Sequence, residues 1–121
     1  MHLSKIGQIG LPVTNIDKAV AFYEGALGLK KVHHFDALVL FDCDGVRLML
    51  EGNHKSVQPA VGVCHYFMVK DIATVEQYLR SKSVTFDREA HLVGKMADCD
   101  LWMAFFRDPD GHLLALMEEI R

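Results

Sequence analysis

Apolar and polar positions along the chain fall into two kinds of pattern. From Ile16, the residues Ala19, Val20, Tyr23, Ala26 and Leu27 recur at the three- and four-residue spacings of one buried helical stripe. Asn15 stands before them, where its side chain can accept an orphan backbone N–H. Gly28 follows, tolerating the left-handed conformation that stops a helix. A second helical pattern runs from Ile72 to about Ser81, with Asp71 as cap and Ile72, Val75 and Leu79 facing inward. Short apolar stretches, Ile9 to Val13 and Val63 to Val69, lead into these helices. Three strand patterns follow each helix: Lys30–His33, Leu38–Asp42 and Val46–Glu51, then Val84–Arg88, Leu101–Arg107 and Leu113–Met117. Asp42-Cys43-Asp44-Gly45 and Asp108-Pro109-Asp110-Gly111 read as turns, because Pro presets φ and Gly admits φ > 0.

The two halves repeat one another. Val13-Thr14-Asn15-Ile16 and Val69-Lys70-Asp71-Ile72 share a shape, and an Asp-Gly turn recurs later in each half. This predicts an α+β fold of two βαβββ units, about residues 5–52 and 63–119, within one domain spanning 1–121. The second half carries extra residues between its helix and its last hairpin. They fall at Glu89 to Asp100, a polar, irregular stretch that would suit a lid.

Composition narrows the classes. Of 121 residues, 50% are apolar and 24% charged, the balance of a globular domain and not of a disordered chain. Thirteen basic against sixteen acidic residues give −3 with no basic run, which argues against nucleic acid as a partner. Three cysteines make no simple disulfide framework and fit a reducing compartment. Met1 to Ile6 lacks the apolar core of a signal peptide, and Leu38–Phe41 is far short of the roughly twenty residues of a membrane span. A cytoplasmic protein with no membrane contact is expected.

Phe22-Tyr23-Glu24, then Leu27-Gly28-Leu29, then Phe106-Arg107-Asp108-Pro109-Asp110-Gly111 carry a resemblance. From about Ile6 to Glu119 the chain resembles the glyoxalase/bleomycin-resistance family of the vicinal oxygen chelate superfamily. The resemblance implies a curved, eight-stranded mixed sheet wrapped around a ligand cleft, and a homodimer. It also implies four inward positions that hold a divalent metal in the superfamily's enzymes. In this sequence they fall on Gln8, Met49, Cys64 and Ala115.

Those four residue types do not make a metal site. Gln8 offers an amide oxygen and Cys64 a thiolate, Met49 only a thioether, and Ala115 nothing, whereas a divalent ion needs several converging donors. Glyoxalase I chemistry needs a carboxylate to move a proton between carbons, and the family's carboxylate position is Ala115. No catalytic residue is assigned and no cofactor is expected. A one-residue slip in strand register would turn His65 inward, and Gln8, Glu51, Cys64 and His65 would then be the ligands of a non-standard metal site.

Strand alternation places Val46, Leu48 and Leu50 on one face and Arg47, Met49 and Glu51 on the other. The predicted cleft is therefore soft and apolar: Met49, Tyr66, Met68, Ala115 and Met117, with Trp102 and Phe106, and Gln8 and Cys64 at the ligand positions. Arg47 would hold a carboxylate or phosphate bidentately, unless it pairs with Glu51 on its own strand. This mixed charge departs from the acidic clefts that take cationic antibiotics. His2, His33, His34, His54, His91 and His112 read as loop, turn or strand-edge residues. Cys64 has no nearby cation or helix N-terminus to activate it. The residues favour a metal-free protein that binds a small hydrophobic or aromatic molecule. The alternative is a metal-dependent lyase, isomerase, epimerase or dioxygenase of the superfamily.

Overall fold

A computed structural model describes residues 1–121, in two compact units, Met1–Gln58 and Pro59–Arg121. In the first unit the order is β1 (Gln8–Pro12), α1 (Ile16–Val20), β2 (Lys30–Phe35), β3 (Leu38–Cys43) and β4 (Val46–Glu51). In the second it is β5 (His65–Met68), α2 (Ile72–Ser81), β6 (Phe86–Lys95), β7 (Asp100–Arg107) and β8 (Leu113–Ile120). The eight strands form two open, four-stranded mixed sheets, ordered β1-β4-β3-β2 and β5-β8-β7-β6. In each, the first strand runs parallel to the last and the other pairs are antiparallel. Two βαβββ repeats are thus present, one per sheet.

The predicted caps form. Asn15 Oδ1 accepts the Lys18 N–H at 3.0 Å, and the Asp71 side chain accepts that of Thr74. The first helix is not regular throughout. After Val20 it widens into a π-helical stretch, Ala21–Ala26, where the Leu27 N–H reaches back five residues to the Phe22 carbonyl. Gly28, at φ 75°, lies just beyond it.

Each helix covers one face of its own sheet. Ile16, Ala19 and Tyr23 are buried with Phe41, Leu48 and Leu50, and the Tyr23 and Phe41 rings lie 6.1 Å apart. In the second unit Ile72 and Leu79 are buried with Phe106, Leu114 and Leu116, and Phe106 packs on Phe86 at 5.2 Å. The opposite face of each sheet carries no helix of its own unit.

The segment Glu89 to Asp100 is not the irregular loop that its polarity suggests. Most of it belongs to β6, which continues to Lys95, and β7 resumes at Asp100. An edge strand pairs on one side only, so its exposed side chains can be polar. Three register shifts along β6 further disguise its alternation.

Candidate functional site

The register settles which side chains share the uncovered face of each sheet. In the first unit Gln8 lies beside Arg47, Gly10 beside Met49 and Pro12 beside Glu51 on β1 and β4. Across β3 the same face carries Leu38, Leu40 and Asp42, and β2 adds His33 and Phe35. The Gln8 amide donates to Met49 Sδ at 3.6 Å, so these two inward positions meet. Arg47 and Glu51 do not pair. Glu51 Oε1 instead holds His54 Nε2 at 2.7 Å, and Arg47 forms no ion pair.

In the second unit Tyr66 lies beside Ala115 and Met68 beside Met117. Facing them from β7 are Phe105 opposite Ala115 and Met103 opposite Met117. Tyr66 and Phe105 meet edge to face at 6.4 Å, and His91 lies against Phe105 at 6.1 Å. Cys64, just before β5, donates its thiol to the His65 carbonyl at 3.9 Å. Burial raises the Cys64 thiol pKa above the ordinary 9.0, and the nearby Tyr66 hydroxyl and Arg107 guanidinium oppose this only in part. Tyr66 in turn is raised, chiefly by the charge of Cys64.

Two of the expected residues belong elsewhere. Trp102 and Phe106 alternate with Met103 and Phe105 and so point to the helix-covered face. Phe106 is fully buried there against Phe86, and Trp102 borders a groove of about 290 Å³ with Ile72 and Ala90. The residues that sequence reasoning missed are Met103, Phe105 and His91. The signal for Phe105 was available: the hairpin pairing Arg107 with Leu113 places Phe105 opposite Ala115.

His65 also stays on the helix side, beside Leu114, so the register slip that would turn it inward does not occur. Its pKa is lowered from 6.5 by burial first and by His112 second. His112 lies in the turn before β8 but is buried, its backbone N–H donated to Asp108, and His91 lies within the edge strand β6.

The donor chemistry does not fit a divalent metal. Gln8 is engaged with a thioether, Cys64 is held toward its protonated form, and Ala115 has no donor atom. Of the alternative set, Glu51 is committed to His54, and His65 faces away from Cys64. No three His, Cys, Asp or Glu side chains gather as a metal site.

The comparisons place this geometry among known proteins. The family model for the Glyoxalase/Bleomycin resistance protein/Dioxygenase superfamily matches residues 5–116. No curated protein matches significantly. Among solved structures, lactoylglutathione lyase from Agrobacterium tumefaciens superposes with a TM-score of 0.73 at 19% identity, covering 96% of this chain and 94% of that one. The glyoxalase/bleomycin resistance protein/dioxygenase from Alicyclobacillus acidocaldarius gives 0.76 at 15%, covering 97% and 92%. Virulence protein STM3117 from Salmonella typhimurium gives 0.78 at 17%, covering 99% and 100%. These likenesses are to the fold.

Proposed function

Because this chain belongs to the Glyoxalase/Bleomycin resistance protein/Dioxygenase superfamily, we propose that it is a metal-free binding member that takes a small hydrophobic or aromatic molecule on its open sheet faces. One observation carries the reading. On the second sheet Tyr66 and Met68 stand 48% and 67% exposed beside Met103, Phe105 and Met117. Ring and thioether surface held in water gains about 25 cal/mol per Å² when a ligand covers it. Methionine and aromatic side chains also adapt to flat or irregular partners. That Ala115 offers no donor and Met49 only a thioether already bound by Gln8 supports binding over metal chemistry. In this reading the protein works in the cytoplasm, where its three free thiols are stable, and as a homodimer.

The test is a ligand-observed NMR screen with a library of aromatic and aliphatic small molecules, with hits located by amide shifts. Expected are hits that shift Tyr66, Met68 and Ala115 and weaken about tenfold in Tyr66→Ala, which removes a stacking contact worth about 0.5–1.5 kcal/mol plus its buried area. Hits confined to other surfaces would overturn the reading. So would a stoichiometric metal retained after dialysis against Zn²⁺, Ni²⁺, Mn²⁺ or Fe²⁺.

A further inference from the structure

A cavity of about 280 Å³ opens beside the β3–β4 turn of the first unit, walled by Gly7, Val32, His33, Asp42, Gly45 and Arg47. A bulge shapes it. β2 pairs Lys31 with Phe41 and His33 with Leu40, which leaves Val32 without a partner of its own on β3. Bulges re-aim side chains that strict alternation would separate, and here the consecutive Val32 and His33 line the same wall.

Asp42 and Arg47 are direct cross-strand partners, yet no ion pair joins them. Asp42 Oδ1 instead accepts the Gly45 N–H at 3.0 Å, which closes the turn. An ionised carboxylate has about four acceptor sites, so Asp42 keeps capacity toward the cavity, and all five donors of the Arg47 guanidinium are open. The cavity therefore presents fixed charge of both signs. A plain carboxylate entering it meets the repulsion of Asp42, and a plain amine meets that of Arg47.

We infer that this cavity binds a small α-amino acid as its zwitterion. The ligand carboxylate takes two parallel N–H bonds from Arg47, and its ammonium faces Asp42. As cross-strand partners that line the same cavity, Asp42 and Arg47 offer opposite charges side by side, the arrangement that the adjacent charges of an α-amino acid call for. His33 supplies a further polar contact, and Val32, 39% exposed, an apolar one for the ligand's side chain. The volume lies below the usual range of about 300–1,000 Å³ for ligand sites, which excludes large ligands. This site lies wholly in the first unit and does not depend on the apolar face of the second.

The experiment is an amide-shift titration of the full chain with L-valine, 3-methylbutanoate and isobutylamine, which differ only in the charges they carry. L-valine is expected to shift His33, Gly45 and Arg47 and to bind at least about tenfold more tightly than either analogue, each of which forgoes one charge-assisted contact. Arg47→Met abolishes the L-valine shifts. Asp42→Asn keeps an oxygen for the Gly45 N–H and so keeps the turn, but brings L-valine down to the level of 3-methylbutanoate. The inference is overturned by either analogue binding as tightly as L-valine. It is equally overturned by no probe shifting these residues, or by Asp42→Asn leaving the preference intact.

Discussion

Tyr66 and Phe105 meet edge to face, ring centres 6.4 Å apart, on the two strands that flank Ala115. The methyl group of Ala115 is fully buried beneath them. A larger or charged residue there would have to displace both rings. Ala115→Glu, which puts a carboxylate where the family resemblance would imply one, is expected to cost about 1–3 kcal/mol through overpacking, with a further cost if the carboxylate stays buried. It is expected to retain no metal. Urea unfolding and elemental analysis of the same variant check both outcomes, and stoichiometric metal uptake would refute the account of the donor set.

The two rings should differ in their weight. Phe105 is half-buried and touches both Tyr66 and His91, whereas Tyr66 is 48% exposed. Phe105→Ala is expected to lose roughly 2–4 kcal/mol and Tyr66→Ala about 1 kcal/mol or less. Equal losses in urea unfolding would mean that Tyr66 belongs to the core and not to a binding face.

The sequence showed most of this architecture, and its failures have physical causes. The caps at Asn15 and Asp71 and the two Asp-Gly turns rest on local chemistry that few residues can supply. Along Leu101-Trp102-Met103-Ala104-Phe105-Phe106, by contrast, every residue is apolar, so polarity marks no face. Parity there had to come from the pairing of β7 with β8 across the DPDG turn. The resemblance points to Ala115, and counting back across the turn from it yields Phe105. The Arg47 alternatives could not be separated by spacing alone, because the partner that takes Glu51 is His54, in the loop beyond the strand.

His65 makes acid the weak side of the pH profile. Its folded pKa lies below the ordinary 6.5 because burial, and then His112, disfavour the imidazolium. The unfolded chain therefore binds more protons than the folded one in the window just below 6.5. Its contribution to stability is fully present above pH 6.5 and is lost as pH falls through that value toward the folded pKa. Unfolding free energies measured between pH 7.5 and pH 5 in about half-unit steps should show this decline, and His65→Gln should reduce it. An unchanged slope in His65→Gln would assign the decline to other groups.

Cys64 should react slowly despite its partial exposure. Burial raises its pKa from 9.0 by more than Tyr66 and Arg107 lower it, and Cys43 is raised as well, by burial and then Asp42. Since the thiolate is the nucleophile, iodoacetamide should modify both more slowly than a free thiol at pH 7.5. The rate should keep climbing to higher pH than that of an ordinary thiol of pKa 9.0. Peptide mapping by mass spectrometry reads each cysteine separately. A Cys64 rate above that of the unfolded chain at pH 7.5 would reveal an activated thiolate.

The N-terminus of α2 is held from outside the helix. Glu118 of β8 sends one carboxylate oxygen to the Asp71 N–H and the other to that of Ile72, each at 2.9 Å. Asp71 itself turns the opposite way, its side chain taking Thr74 while its backbone adopts φ 57°. Two orphan donors and the positive end of the helix dipole are thereby satisfied by a single charge on the neighbouring strand. Glu118→Gln keeps one acceptor and loses the charge, so it should cost about 0.5–1 kcal/mol. Glu118→Ala leaves both donors to water and should cost about 1–2 kcal/mol. Hydrogen exchange separates this from a general loss of stability: in Glu118→Ala the amides of Asp71 and Ile72 should lose protection before those of β7. Uniform loss across the second unit would show that Glu118 acts through sheet packing and not through the helix end.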